Sequence, residues 1–359
     1  MEIERNIMEL LDYLKKAVQD KASDLFIVAG SPVCYKLEGH ILPIDEEKVF
    51  PKETEHFIRE LYQMAGRSIE HYLETGDDDF SFAQPGLARF RVNTYRQRGS
   101  MATVVRVVAF EIPDYRKLGI PETVMDLANV THGMVLVSGT AGSGKSTTQA
   151  CLIDRINRTR EAHIITLEDP IEYLHRDIKS IVSQREISID TSDYLSALRA
   201  CLRQAPDVIL LGEMRDHTTI RTAMTAAETG HLVIATLHTR GAVNTIDRII
   251  DSFPSNQQEQ VRVQLATVLH SVVSQQLLPD LKGGLTPAFE IMQMTDAVRN
   301  MIRDCKNYQI DNVIQTGAAN GMVSMDQSIL SLFREGLISA ETACNAADHL
   351  EQMRRKVSL

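Results

Sequence analysis

Apolar positions near the start of the chain recur at helical spacing. Within residues 4–20, Ile7, Leu10, Leu11, Leu14 and Val18 fall on one face, which predicts an amphipathic opening helix. DLFIVAG and CYKLEGHILPI then read as strands, the second folded back at Glu38-Gly39. Helical spacing returns over 52–73. The stretch DDDFSFAQPGLARFRVNTYRQRGSMATVVRVV alternates apolar with polar and is broken at Pro85-Gly86 and Arg98-Gly99, the pattern of paired strands joined by turns. Residues 1–110 therefore read as a small α+β domain. EIPDYRKLGIPE carries two prolines and a glycine, and residues 111–121 read as a linker.

From Thr131 the pattern changes. GMVLVSG, AHIITLED, DVILLGE and HLVIATLH are short apolar runs separated by helical stretches, and each ends in polar or acidic residues. Four such strands predict an α/β domain with an open, mostly parallel sheet whose carboxyl ends deliver a site. This core is expected over 122–290. Beyond about residue 255 the pattern reads as helical, with a helical C-terminal region over 291–359. Within it, residues 324–355 suggest a helical hairpin, Gly336 ending one helix and Ser339 capping the next. No internal repeat or low-complexity tract is visible.

The first strand of the second domain runs into SGTAGSGKSTTQ. Gly139, four residues, then Gly144-Lys145-Ser146 match the phosphate loop G-x-x-x-x-G-K-[ST] without a mismatch. Glycines let the backbone curl so that successive N–H groups point inward, toward the unpaired donors of the helix that follows. Gly139, Thr140, Ala141, Gly142, Ser143, Gly144, Lys145, Ser146 and Thr147 are the expected nucleotide contacts. Lys145 supplies a cation to the outer phosphates, and Ser146 offers a hydroxyl to Mg2+.

Hydrolysis also needs an acid beside the metal and a group that orients water. Glu168-Asp169-Pro170-Ile171-Glu172 ends one predicted strand, and Glu213 follows another across Gly212. Glu213 is the candidate to hold magnesium, directly or through water, with Asp169 a further candidate ligand. Glu168 is the candidate to position the attacking water. A helix cap or a salt-bridge partner is the plainer reading of either acid. His231 and His238 bracket one strand at opposite ends; they read either as hydrogen-bonded strand-end histidines or as a sensor of the γ-phosphate. Arginine is dense over 89–106, including Arg91, Arg98 and Arg106, and a second set includes Arg203 and Arg215. Either set is a solvated face or a source of guanidinium for a transferring phosphoryl group, within a subunit or across an interface.

Composition narrows the classes. At 359 residues more than one core is expected, and 43% apolar residues argue against extensive disorder. No stretch approaches the ~20 apolar residues of a membrane span, and MEIERNIMEL lacks a leader pattern, so a cytoplasmic chain is expected. Five widely spaced cysteines form no CxxC pair, so neither a disulfide framework nor zinc is expected. A net charge of −10 and the absence of Trp argue against nucleic acid as the partner.

SGTAGSGKSTT, HIITLEDPIEYLH, LRQAPDVILLGEMRD and TAAETGHLVIATLHT stand in the order of the Walker A, Asp box, Walker B and His box of secretion ATPases. The chain resembles the type IV pilus retraction ATPases, the PilT/PilU group, and the likeness extends to SDLFIVAGSP, RFRVNTYRQRGS and SMDQSILSLFREGLIS. The resemblance implies a homo-hexameric ring of subunits, each with a PAS-like N-terminal domain and a RecA-like P-loop motor domain. It implies an ATP-hydrolysing, Mg2+-dependent motor at the cytoplasmic face of the inner membrane, acting on a pilus platform protein, with a companion retraction ATPase as a further partner. Lys145 and Ser146 would serve phosphates and metal, Glu168 would be the catalytic glutamate and Glu213 the Walker B acid. His231 and His238 would take the His-box positions, and arginines around RFRVNTYRQRG would approach the nucleotide. AVRNMIRD, residues 297–304, resembles the element tied to retraction in that group. Thr140-Ala141 and Ala205 depart from its commonest residues, and PilU-like members share the Ala. The absence of a four-cysteine module favours retraction over pilus assembly or type II secretion. An accessory ring of low turnover, a nucleic-acid translocase and a small-molecule kinase are the alternatives.

Overall fold

The computed structural model describes residues 7–37, 39–108 and 112–357. The chain divides near residue 111 into two compact units.

The first unit is built on a six-stranded antiparallel sheet. Its elements are α1 (Leu10–Gln19), β1 (Asp24–Val28), β2 (Pro32–Leu37), β3 (His40–Lys48), α2 (Pro51–Met64), α3 (Glu70–Thr75), β4 (Asp77–Gln84), β5 (Ala88–Gln97) and β6 (Ser100–Val108). The strands lie in the order β3-β2-β1-β6-β5-β4. Alternation decides the core. Phe80, Phe82, Phe90 and Val92 turn inward with Leu25 and Ile27, and Tyr13, Leu14, Phe57 and Leu61 of α1 and α2 pack with them. The opening helix begins at Leu10, later than its apolar spacing suggests; Ile7 packs on the core ahead of it, and residues 4–6 lie outside the described residues. The helical stretch over 52–73 is two helices, because the chain turns through Gly66 with φ +62°. The turn at Glu38-Gly39 falls partly outside the described residues, but β2 and β3 pair as expected on either side of it.

The second unit carries a seven-stranded sheet in the order β13-β12-β7-β11-β10-β8-β9. The expected strands are β7 (Gly133–Ser138), β8 (His163–Glu168), β10 (Val208–Leu211) and β11 (Leu232–Leu237). They pair in parallel and are buried throughout except near the ends of β8, as strands covered on both faces must be. Three strands were not expected: β9 (Ile181–Glu186), β12 (Leu269–Pro279) and β13 (Leu285–Gln293). The helical reading beyond residue 255 is therefore corrected, and β13 crosses the expected boundary at 290. The reason is local. Helix α9 (Gln258–Val268) runs into β12 with no turn residue between Val268 and Leu269, so no breaker marks the change of period. Buried Ser274, Gln275 and Gln276 then blur the strand alternation.

Between the strands lie α4 (Glu122–Met125), α5 (Lys145–Thr159), α6 (Tyr194–Cys201), α7 (His217–Glu228) and α8 (Ala242–Asp251). The C-terminal helices α10 (Asp296–Arg303), α11 (Ile310–Thr316), α12 (Met325–Arg334), α13 (Ala340–Ala346) and α14 (Leu350–Val357) belong to the same compact unit. Residues 324–355 thus form three helices rather than a hairpin. Gly336 does follow α12, at φ +71°, and the Ser339 hydroxyl caps α13 by accepting from Thr342 N at 3.0 Å. Ile112, Tyr115 and Leu118, expected in a linker, pack on the second core.

Candidate active site

The parallel pairing sets the site. Ser138 ends β7 in register with Leu237 of β11 on one side and Ser274 of β12 on the other. The loop after Ser138 therefore leaves the sheet between His238 and Gln275. Gly139 has φ +145°, and a Cβ there would stand 2.3 Å from the Gln275 carbonyl oxygen and 2.6 Å from Ser143 Oγ. Gly144, at φ +86°, caps α5, and its Cβ would meet Gln275 Nε2 at 2.8 Å. Only glycine satisfies both the left-handed backbone and the close approach at these two positions. Thr140, Ala141 and Gly142 form the exposed rim, Ser143 is buried, and Ser146 and Thr147 open the first turn of α5. The Lys145 ammonium donates to the carbonyls of Gly139 and Thr140, each at 2.8 Å, which holds a cation across the loop beside the N–H groups of the helix start. Such a cradle binds phosphate.

Two acids arrive from neighbouring strand ends. Glu168 ends β8; the Thr166 hydroxyl donates to its Oε1 at 2.5 Å and Gln184 Nε2 of β9 at 3.1 Å. One oxygen is thereby oriented by the sheet. Glu213 follows β10 and is 9% exposed. Arg215 Nη2 stands 2.6 Å from its Oε1, and His238 Nε2 lies 3.4 Å from its Oε2. The Glu213 carboxylate, through this hydrogen bond first, raises the pKa of Arg215 above its ordinary value. Asp169 is exposed just beyond Glu168. Tyr194, at the start of α6, lies close enough to feel the charges of Glu213, Asp169 and Glu168.

Lys145, Glu168, Glu213, Arg215 and His238 thus follow strand ends on one edge of the sheet. Other candidates are elsewhere. His231 precedes β11 at its amino end, where Nδ1 donates to the Ala226 carbonyl at 2.9 Å and faces Thr229 Oγ1 at 3.2 Å. That ties the end of α7 to the strand. Arg203 is exposed in the turn before β10, again at the amino end. Arg91, Arg98 and Arg106 belong to the first unit. Arg91 and Arg106 are directly paired across β5 and β6, and each has an acidic partner, Asp79 at 2.7 Å and Asp24 at 2.9 Å. Arg98 is an exposed turn residue with φ 49°.

The donor set fits Mg2+. Among the described residues no three His, Cys, Asp or Glu side chains converge into a metal cage. Magnesium needs none, since it takes one or two protein oxygens and completes its shell with phosphate and water. Ser146 and Glu213 would supply those oxygens, Glu213 directly or through water. Beside the loop lies a cleft of about 500 Å³ reaching from Gly144, Thr147 and Thr148 to Leu118, Ile120, Leu277, Pro287 and Leu337, with apolar walls suited to a planar ring.

Sequence reasoning missed Gln275, Thr148, Thr166, Gln184 and Tyr194. The Thr148 hydroxyl donates to Gln275 Oε1 at 2.8 Å with both residues buried. Gln275 with Gln276 inside a mostly apolar run is a visible signal once β12 is recognised as a strand, whereas Thr148 lies on α5. Thr166 lies two residues before Glu168, the same-face spacing of a strand, and was legible on that ground. Nothing local marks Gln184.

The fold and site define a P-loop nucleoside triphosphatase of the secretion type. The family model "Type II/IV secretion system protein" matches residues 2–306. The type IV pilus retraction ATPase PilT of Pseudomonas aeruginosa is 43% identical over 94% of this chain and 97% of its own length. A twitching motility protein of Neisseria gonorrhoeae is also 43% identical, over 94% of this chain and 89% of its own. The type IV pilus ATPase PilU of P. aeruginosa is 35% identical over 98% and 92%. Among solved structures, the pilus retraction motor PilT with bound ADP superposes with a TM-score of 0.88 at 43% identity, covering 97% of this chain and all of that one. The chain belongs to the type II/IV secretion system protein family and stands within it among the PilT-type retraction ATPases.

Proposed function

We propose that this chain hydrolyses ATP to drive type IV pilus retraction. The observation that carries this reading is the convergence of the phosphate loop, Glu168 and Glu213 on one sheet edge, in a chain alike to PilT over nearly its whole length. The triphosphate lies in the loop against Lys145, and the adenine ring enters the apolar cleft beside Thr147. Mg2+, which Ser146 and Glu213 would hold, would supply charge neutralisation to the reacting phosphates. Glu168 accepts a proton from a water whose oxygen attacks the γ-phosphorus. The bond to the β,γ-bridging oxygen breaks, and ADP and phosphate leave. His238, beside Glu213, sits where the γ-phosphate would be sensed, whereas His231 serves the α7–β11 junction.

The larger assembly is the same proposal extended. The first unit is PAS-like, the second is a RecA-like core continued by α10–α14, and six copies form a ring on the cytoplasmic side of the inner membrane. Arg91, Arg98 and Arg106 approach nucleotide within that ring, and the partner is a pilus platform protein. The greater identity to PilT than to PilU favours the principal motor over an accessory ring, with a PilU-like companion as a further partner. Steady-state ATPase assays of wild type, Lys145→Ala and Glu168→Gln test the chemistry, and both variants lose turnover by about two orders of magnitude or more. Deleting the gene tests the role: pili accumulate and twitching stops. Unimpaired variants, or unaltered motility, refute the reading.

A further inference from the structure

Tyr194 has no part in the scheme above, yet it stands inside the acidic end of the site. Asp193 fixes its place by capping α6, accepting from Ser196 N at 2.8 Å. The phenol reaches the backbone between the two acids: a Cβ built on Gly212 would come 2.8 Å from Tyr194 Oη, 3.1 Å from the Leu167 carbonyl oxygen and 3.4 Å from Glu168 Cα. Burial first, then the charges of Glu213, Asp169 and Glu168, push its pKa well above the ordinary value, with Arg215 opposing weakly. A phenol is in any case a neutral O–H donor throughout the physiological range. No side chain or carbonyl among the described residues takes that proton. Lying within reach of the charges of Glu213, Asp169 and Glu168, this donor finds its acceptor in the water that such carboxylates hold.

We infer that Tyr194 is a positioning residue for hydrolysis: its hydroxyl donates into the space bounded by Glu168, Asp169 and Glu213, to the water these carboxylates share. It thereby keeps the base and the metal-side acid in one register when ATP is bound. Gly212 is part of the same device, since a side chain there would displace the phenol. The inference rests on the hydrolytic roles of Glu168 and Glu213 proposed above.

The test is Tyr194→Phe in the full chain, which keeps the ring and removes only the donor. The expected result is a kcat about tenfold lower, the effect of one hydrogen bond to a charged group. KM for ATP, the affinity for methylanthraniloyl-ATP and the melting temperature stay at wild-type values. A kcat within twofold of wild type overturns the inference. So does a fall in melting temperature with a matching rise in KM, which marks a packing role only. Gly212→Ala and the double variant give an independent check: the double is no slower than the slower single, and multiplicative losses refute a shared device. Glu168→Gln, assayed alongside, separates the two levels. If it is inert while Tyr194→Phe is normal, only Tyr194 is misassigned; if it turns over normally, the hydrolytic reading itself fails.

Discussion

The phosphate loop depends on one buried polar contact reached from another strand. Gln275 touches it at three places: its carbonyl against Gly139, its Nε2 against Gly144, and its Oε1 accepting from Thr148 at 2.8 Å. Thr148 is 1% exposed and Gln275 3%. Gln275→Leu keeps the volume but leaves the Thr148 hydroxyl buried without that acceptor, at a cost of about 1–3 kcal/mol. Thr148→Val orphans Gln275 Oε1 at a similar cost. The double variant replaces both partners with apolar groups and should recover most of the loss; with each single at about 2 kcal/mol and the double at about 1, the coupling is about 3 kcal/mol. For a unit of this size each kcal/mol moves the melting temperature by about 2–4 °C. Scanning fluorimetry at fixed protein concentration should therefore show each single variant roughly 4–8 °C below wild type and the double within a few degrees of it. ATPase activity should not recover in the double variant, because the amide against Gly144 is still missing. Two single losses that simply add in the double would refute the pairing.

Gly139→Ala should abolish binding of methylanthraniloyl-ATP, since its Cβ meets a backbone carbonyl at 2.3 Å, whereas Gly142→Ala meets nothing within 4 Å and carries only the strain of its left-handed backbone, φ +74°, so it should weaken binding far less; equal effects would contradict the cradle geometry. Glu213→Gln should raise the Mg2+ concentration needed for half-maximal ATPase by about tenfold, one charge-assisted contact's worth, and an unchanged Mg2+ titration would remove Glu213 from the metal side. Glu290, on β13, accepts from Ala242 N at 2.7 Å, and burial above all, with Asp348 and Asp311 adding, raises its pKa from 4.5 to about 7. Between these two values the native state holds a proton that the unfolded chain has released, so this group's contribution to stability is fully present below pH 4.5 and is lost as pH rises through 7, by about 3 kcal/mol in all. Melting temperatures of wild type and Glu290→Gln across pH 5–8 test this: the variant should show a flatter profile, and parallel profiles would exclude Glu290 as the source.

Much of the site was legible because its parts are local. The phosphate loop is a contiguous stretch in which glycine positions and lysine are dictated by backbone geometry. Glu168, Glu213 and His238 each follow an apolar run that can only be a buried strand. The same rule made His231 look equivalent to His238, because alternation in a strand does not say which end faces the ligand. Legibility failed where an element carried no local mark. Val268-Leu269 passes from helix to strand without a breaker, and β9 has a half-buried, mixed-polarity sequence that neither period captures.

By itself the sequence determined the chemistry: a loop that binds phosphate, two acids at strand ends, an alternating first unit and a parallel second one. These follow from short-range rules of backbone freedom and side-chain period, which act over a few residues. Only the tertiary structure decided which of the candidates meet. Strand order placed β12 beside β7 and brought Gln275 to the loop from about 130 residues away in a chain held by parallel pairing. It placed β8 beside β10 and closed Tyr194 onto Gly212. It also left His231 and Arg203 at the opposite edge, because every parallel strand sends its carboxyl end to the same side.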